Sequence, residues 1–163
     1  MPSPVVPLHL GMARVGKPEG SLWTIFGLGS CVGVILFDPE TRLSAMAHIV
    51  LPQGPFSPEM PGRYADSGLT FLVRSLLDLG AKTSSLRAVM AGGAQLSGLE
   101  GLSDIGPRNA EAVRRFLTAL GIPIVAEDTG GGAARTLRWD PKKGEAYVRR
   151  PGGTEERLWP KGD

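Results

Sequence analysis

The chain holds one cysteine, Cys31, and two histidines, His9 and His48. A thiol beside an imidazole suffices for nucleophilic attack on an amide. The thiolate is the reactive form, and an adjacent imidazolium stabilises it. The imidazole then protonates a departing amine and later activates water. Cys31 follows Gly27-Leu28-Gly29-Ser30 and opens the apolar run Val32–Phe37; His48 ends the run Leu43–His48. Between the runs stands Asp38-Pro39-Glu40-Thr41, with Asp and Pro where a type I turn favours them. A hairpin centred between Pro39 and Glu40 places Phe37 opposite Arg42 and Cys31 opposite His48. Directly opposed residues of an antiparallel pair share a face, with Cβ atoms roughly 4.5–5.5 Å apart. The glycines at 27 and 29 allow close substrate approach, and amides near Gly29 and Ser30 are candidate oxyanion donors.

Other chemistries fit less well. A lone cysteine is ordinarily a small buried hydrophobe, and it excludes a disulfide framework or a Cys-based zinc site. Two histidines make a poor metal set, so neither a metal nor a cofactor is expected. Val32 stands where a dinucleotide fingerprint needs its third glycine, and a strand follows rather than a helix. Gly130-Gly131-Gly132 lacks the Gly-Lys-Ser/Thr ending of a phosphate loop, and no Gly-x-Ser-x-Gly elbow surrounds Ser30.

Two helices and seven strands are expected to position the pair. Leu69, Leu72, Val73, Leu76 and Leu77 mark the apolar face of a helix from Asp66 to Leu79, capped by Asp66 and ended by Gly80. Val113, Phe116, Leu117 and Leu120 mark a second, from an Asn109 cap to Gly121. β-prone runs lie at Leu22–Phe26, Val32–Phe37, Leu43–Val50, Leu86–Met90, Ile122–Glu127, Arg135–Trp139 and Glu145–Val148. Their hairpin-like spacing points to an α/β fold of the α+β kind. Residues 52–64, with four prolines, form a long irregular loop.

The 163 residues fit one domain spanning 1–163, with 1–7 and the stretch past Arg150 expected to be flexible. No apolar run reaches the length of a membrane helix and no signal peptide is visible, so a cytoplasmic protein without membrane insertion is expected. A net charge of +2, with bases and acids interspersed, gives no footprint for nucleic acid.

Several segments resemble the CheD family of chemoreceptor glutamine deamidases: GLGSCVGVILFDP at 27–39 and AMAHIVLP at 45–52, with RYAD at 63–66, AGGAQL at 91–96, IGPRNAEAV at 105–113 and AEDTGGGAAR at 126–135. The resemblance implies mixed sheets packed together with helices outside, as in cysteine-hydrolase toxins that deamidate proteins. It implies hydrolysis of glutamine side chains on chemoreceptor cytoplasmic helices to glutamate and ammonia, and a CheC-type phosphatase as partner. It puts the nucleophile on Cys31 and the catalytic histidine on His48. The family's third residue, a threonine six positions before the cysteine, falls on Ile25. Thr24, Ser30 or a backbone carbonyl is then left to orient the imidazole.

Overall fold

A computed structural model describes residues 2–96 and 104–162. Among these residues, ten strands form two five-stranded sheets, with two α-helices and a short 3-10 turn. The first sheet runs in the order β1 (Val5–Pro7), β3 (Leu22–Leu28), β8 (Arg135–Asp140), β9 (Glu145–Arg149) and β10 (Glu156–Trp159). The second runs β2 (Ala13–Gly16), β5 (Ser44–Ile49), β4 (Val32–Phe37), β6 (Arg87–Gly92) and β7 (Ile124–Thr129). The architecture is the expected mixture of sheets and helices. Two pairings are parallel, β1 with β3 and β6 with β7; the rest are antiparallel. Among the described residues, no helix is long and apolar enough to cross a membrane.

Strand β4 explains the layering. All six of its residues are buried, as a near-continuous apolar run requires when both faces are covered. Val32, Val34 and Leu36 point into a core shared with Leu69, Leu72 and Leu76 of α1 (Ala65–Asp78) and Val113 and Leu117 of α2 (Ile105–Ala119). Ile35 and Phe37 point the other way, onto Trp23, Ile25, Leu137 and Trp139 of the first sheet. The result is three layers: helices, second sheet, first sheet. Gly33 marks the closest approach of the sheets, since a Cβ there would lie 2.8 Å from Leu137 and 3.0 Å from Ile25.

The structure corrects several expectations. Two strands lie outside the expected runs: β1 adds to β3, and β10 pairs with β9. Proline at 7 ends a short edge strand, where a missing N–H is tolerated. Asp66 takes a free amide of the first turn of α1, that of Ser67, but is not its N-cap residue. Tyr64 holds that position, and the Asp66 carboxylate accepts the amides of Ser67 (2.8 Å) and Gly54 (3.0 Å), the latter anchoring the proline-rich loop. Asn109 caps nothing: α2 begins a turn earlier, after Asp104, and Asn109 is buried inside it. Gly80 and Gly121 do follow the two helices, with φ of 113° and 74°. The helical faces are narrower than expected, because Leu77 and Leu120 are exposed and Phe116 is only half-buried.

Candidate active site

Cys31 is the residue immediately before β4, half-buried against the core between the sheets. His48 lies on β5, whose Ala45, Ala47 and Ile49 face the helices. Met46 faces the first sheet, and alternation puts the His48 imidazole on that same side. The hairpin register differs from the expected one. His48 pairs with Gly33 and Phe37 with Ser44, so Cys31 stands one step further along, diagonal to His48. The parity is unchanged, so both side chains keep one face, and diagonal neighbours remain within reach of longer side chains.

The turn explains the shift. The Asp38 amide bonds the Leu43 carbonyl at 2.9 Å, closing a loop longer than two residues. The buried Asp38 carboxylate accepts the Glu40 amide and the Thr41 hydroxyl, each at 2.9 Å. Arg42 takes up a left-handed φ of 66° so that its amide reaches the Asp38 carbonyl at 2.7 Å. Asp38 thus caps a loop where a plain type I turn would have ended the hairpin earlier.

His48 is 6% exposed, and its Nδ1 lies 3.0 Å from the Leu8 carbonyl oxygen. A carbonyl only accepts, so Nδ1 carries the proton and Nε2 presents its lone pair. The Leu8 amide in turn donates to the Thr24 carbonyl at 2.9 Å, extending the β1–β3 ladder by one residue. His48 is also gripped through its backbone: its amide donates to the Met12 carbonyl, and its carbonyl accepts from Gly11, each at 3.0 Å.

Thr24 does not orient the imidazole through its side chain. Trp23 and Ile25 on either side of it face the inter-sheet core, so Thr24 faces away, and its hydroxyl donates to the Leu22 carbonyl at 3.1 Å. The register shift in β3 comes after Ile25 and leaves Thr24 in place. Ile25 itself is fully buried, with its Cδ1 over Gly33, the cross-strand partner of His48.

The turn carrying Cys31 is tied down by three consecutive carbonyls. Gly29 accepts the Ala94 amide at 2.9 Å, Ser30 accepts Asn109 Nδ2 at 3.0 Å, and Cys31 accepts the Gly93 amide at 2.9 Å. Behind them the Gln95 amide bonds the Gly131 carbonyl at 2.9 Å and the Gly130 amide bonds Gly92 at 3.0 Å. Buried Arg135 holds the 128–133 loop through the Asp128 carboxylate at 2.6 Å and the Ala133 carbonyl at 2.9 Å. Gly92, with φ of 110°, leaves no space for a side chain: a Cβ would stand 2.2 Å from the Cys31 carbonyl.

Burial sets the protonation of the pair. It pushes the Cys31 thiol above its ordinary value and the His48 imidazole below its own; the Leu8 contact only partly offsets the latter. Both effects disfavour the charged form. The resting pair is thiol and neutral imidazole rather than the thiolate and imidazolium expected from proximity alone.

Of the three candidates for orienting the imidazole, the backbone carbonyl is the one found, and residue types alone do not say that it is Leu8's. The contact of Asn109 with the Cys31 turn is absent from the expectations. Asn109 does leave a signal, as the polar centre of IGPRNAEAV, but its amide suits a helix cap equally well.

The fold and site are those of a two-sheet α+β protein with a half-buried cysteine and a buried histidine on one face of a sheet. The family described as CheD chemotactic sensory transduction matches residues 50–150. The chemoreceptor glutamine deamidase CheD of Thermotoga maritima is 42% identical over 149 residues, covering 91% of this chain and 94% of its own. That of Halalkalibacterium halodurans is 43% identical over 150 residues, covering 87% and 92%. A Neisseria meningitidis protein of family DUF152 superposes at a TM-score of 0.43 with 14% identity, over 80% of this chain and 63% of that one. The chain belongs to the CheD family.

Proposed function

We propose that this chain is a cytoplasmic chemoreceptor glutamine deamidase, with Cys31 as nucleophile and His48 as its base and acid. The observation that carries the reading is the Nδ1–Leu8 contact of 3.0 Å, which leaves the Nε2 lone pair for the thiol on the same face. Family membership supports the substrate class, through relatives that bear that activity in their names.

The thiol proton passes to Nε2 as sulfur attacks the glutamine carboxamide carbon. The oxyanion forms beside the Gly29–Cys31 turn, whose amides serve as its donors. The imidazolium then gives its proton to the departing nitrogen, the C–N bond breaks, and ammonia leaves behind a thioester. Water attacks the thioester while Nε2 takes its proton. The C–S bond breaks, the proton returns to sulfur, and glutamate is released. No step needs a cofactor.

A second reading, a partner of a CheC-type phosphatase without catalysis, draws on Ile25 at the position that the resemblance gives to threonine. The Leu8 carbonyl answers it by supplying the acceptor that a hydroxyl would have been. The test is mass spectrometry and ammonia release on a receptor cytoplasmic fragment. Wild type is expected to convert glutamine to glutamate, and Cys31→Ala and His48→Ala to lose turnover. The double variant should be no worse than either, because the two groups act as a unit. Near-wild-type turnover by Cys31→Ala would falsify the mechanism. A wild-type chain that binds the phosphatase but releases no ammonia would favour the second reading.

A further inference from the structure

We propose that Asn109 is a positioning residue for deamidation, clamping the strand end that carries Cys31 to the strand end that carries His48. The proposal rests on the assignment of those two residues and names a third group that acts through both.

Asn109 is fully buried, and its Nδ2 donates two hydrogen bonds: to the Ser30 carbonyl at 3.0 Å and to the Val50 carbonyl at 2.8 Å. Ser30 precedes the nucleophile, and Val50 lies two residues beyond the histidine. Neither strand bonds the other there, since the paired residues of β4 and β5 end at Val32 and Ile49. One side-chain amide therefore continues the ladder where the backbone stops. Because both partners are carbonyls, the nitrogen must face them and the oxygen must turn away.

The way α2 is seated serves this reach. A Cβ on Gly106 would lie 1.9 Å from the Ala94 carbonyl, and one on Gly93 would lie 2.9 Å from the Ala110 Cβ. Two glycines thus let the helix press against the segment whose amides hold Gly29 and Cys31. The arrangement has a cost. Asn109 Oδ1 is buried and has no hydrogen-bond partner among the described residues. A buried acceptor left unpaired is unfavourable, and an apolar residue of similar volume would avoid it. An amide kept at that disadvantage points to a demand from the site: Cys31 and His48 must stay in one geometry while charge moves between them.

The test uses Asn109→Leu, which removes both donors at similar volume, and Asn109→Asp, which keeps the shape and turns an oxygen toward the carbonyls. Thermal melting of each establishes folding, and kcat and KM are measured on a receptor cytoplasmic fragment. In both variants kcat is expected to fall roughly 10²-fold, as small misplacements of reacting groups do, with KM unchanged. Facing two carbonyls in the interior, the carboxyl introduced by Asn109→Asp ionises reluctantly, and its protonated form restores one donor. The kcat of Asn109→Asp should therefore climb as pH falls from about 8 to about 6, while that of Asn109→Leu does not. Folded variants with kcat within twofold of wild type overturn the proposal. So does a raised KM with kcat intact, which would place Asn109 in substrate binding. Loss of folding in both variants also overturns it, by making Asn109 a residue of the fold. Activity surviving in Cys31→Ala would instead remove the nucleophile assignment, a result distinguishable from all three.

Discussion

The imidazole of His48 is oriented by a backbone carbonyl, that of Leu8, 3.0 Å from Nδ1. The carbonyl is held by the parallel pairing of Val5–Pro7 with Leu22–Thr24 and by the Leu8 amide on Thr24. Tautomer and direction therefore depend on a three-residue edge strand. Deleting residues 2–7 should lower kcat by about tenfold or more while the helical layer, on the far side of the second sheet, stays folded. Ammonia release and helical circular dichroism check this, and unchanged turnover would show that Leu8 keeps its place without β1.

The pH dependence follows from burial. With His48 held below its ordinary 6.5, the unfolded chain binds that proton first as pH falls. Its contribution to stability is present above about pH 6.5 and lost on acidification. With Cys31 held above its ordinary 9.0, the unfolded chain releases that proton first, so stability falls as pH rises past about 9. Activity should be level between these limits, where both groups are neutral. The expected kcat/KM profile has an acid limb with its midpoint below 6.5; a midpoint above 7 would contradict it.

Ile25→Thr should not strengthen catalysis. The position lies over Gly33 beside His48, but Nδ1 already has its acceptor. The substitution trades a fully buried aliphatic chain for a smaller one with a hydroxyl to satisfy. A loss of about 1–3 kcal/mol is expected, read from the urea midpoint, with turnover within twofold of wild type. A several-fold gain in kcat would show that the hydroxyl displaces the Leu8 carbonyl.

Gly92→Ala and Gly152→Ala form a matched pair. Both glycines have positive φ, 110° and 74°, so both variants lose at least roughly 1 kcal/mol to backbone strain. Only at Gly92 would the new methyl strike the Cys31 carbonyl; around Gly152 nothing lies within 4 Å. Gly92→Ala should therefore lose activity as well as stability, whereas Gly152→Ala should keep wild-type turnover. Equal turnover in the two would mean that the Cys31 turn adjusts freely.

The middle of the fold is legible in the residue order, and its margins are not. Val32–Phe37 stands out because six consecutive apolar residues have few alternatives to a strand covered on both faces. β1 and β10 are short, partly exposed and next to prolines, so their pairing partners more than their residues make them strands. The hairpin is legible in parity but not in register. An aspartate whose carboxylate caps the loop looks, in sequence, like one that opens an ordinary turn. Cys31 and His48 stand out as candidates because few residue types do such chemistry. Leu8 does not, since any residue supplies a carbonyl, and Asn109 is ambiguous because its amide suits a cap as well as a clamp.

The carbonyls of the nucleophile turn have a consequence for the order in which the molecule is made. Gly29, Ser30 and Cys31 lean on Ala94, Asn109 and Gly93, and the segment beside these glycines leans on Gly130 and Gly131. A nascent chain therefore carries its thiol and its imidazole long before it carries the groups that aim them. Until residue 131 has left the ribosome, the cysteine is an ordinary thiol on an unfinished sheet. On the proposed reading, catalytic competence arrives late in synthesis, with the segments near residues 93 and 130 rather than with Cys31 and His48.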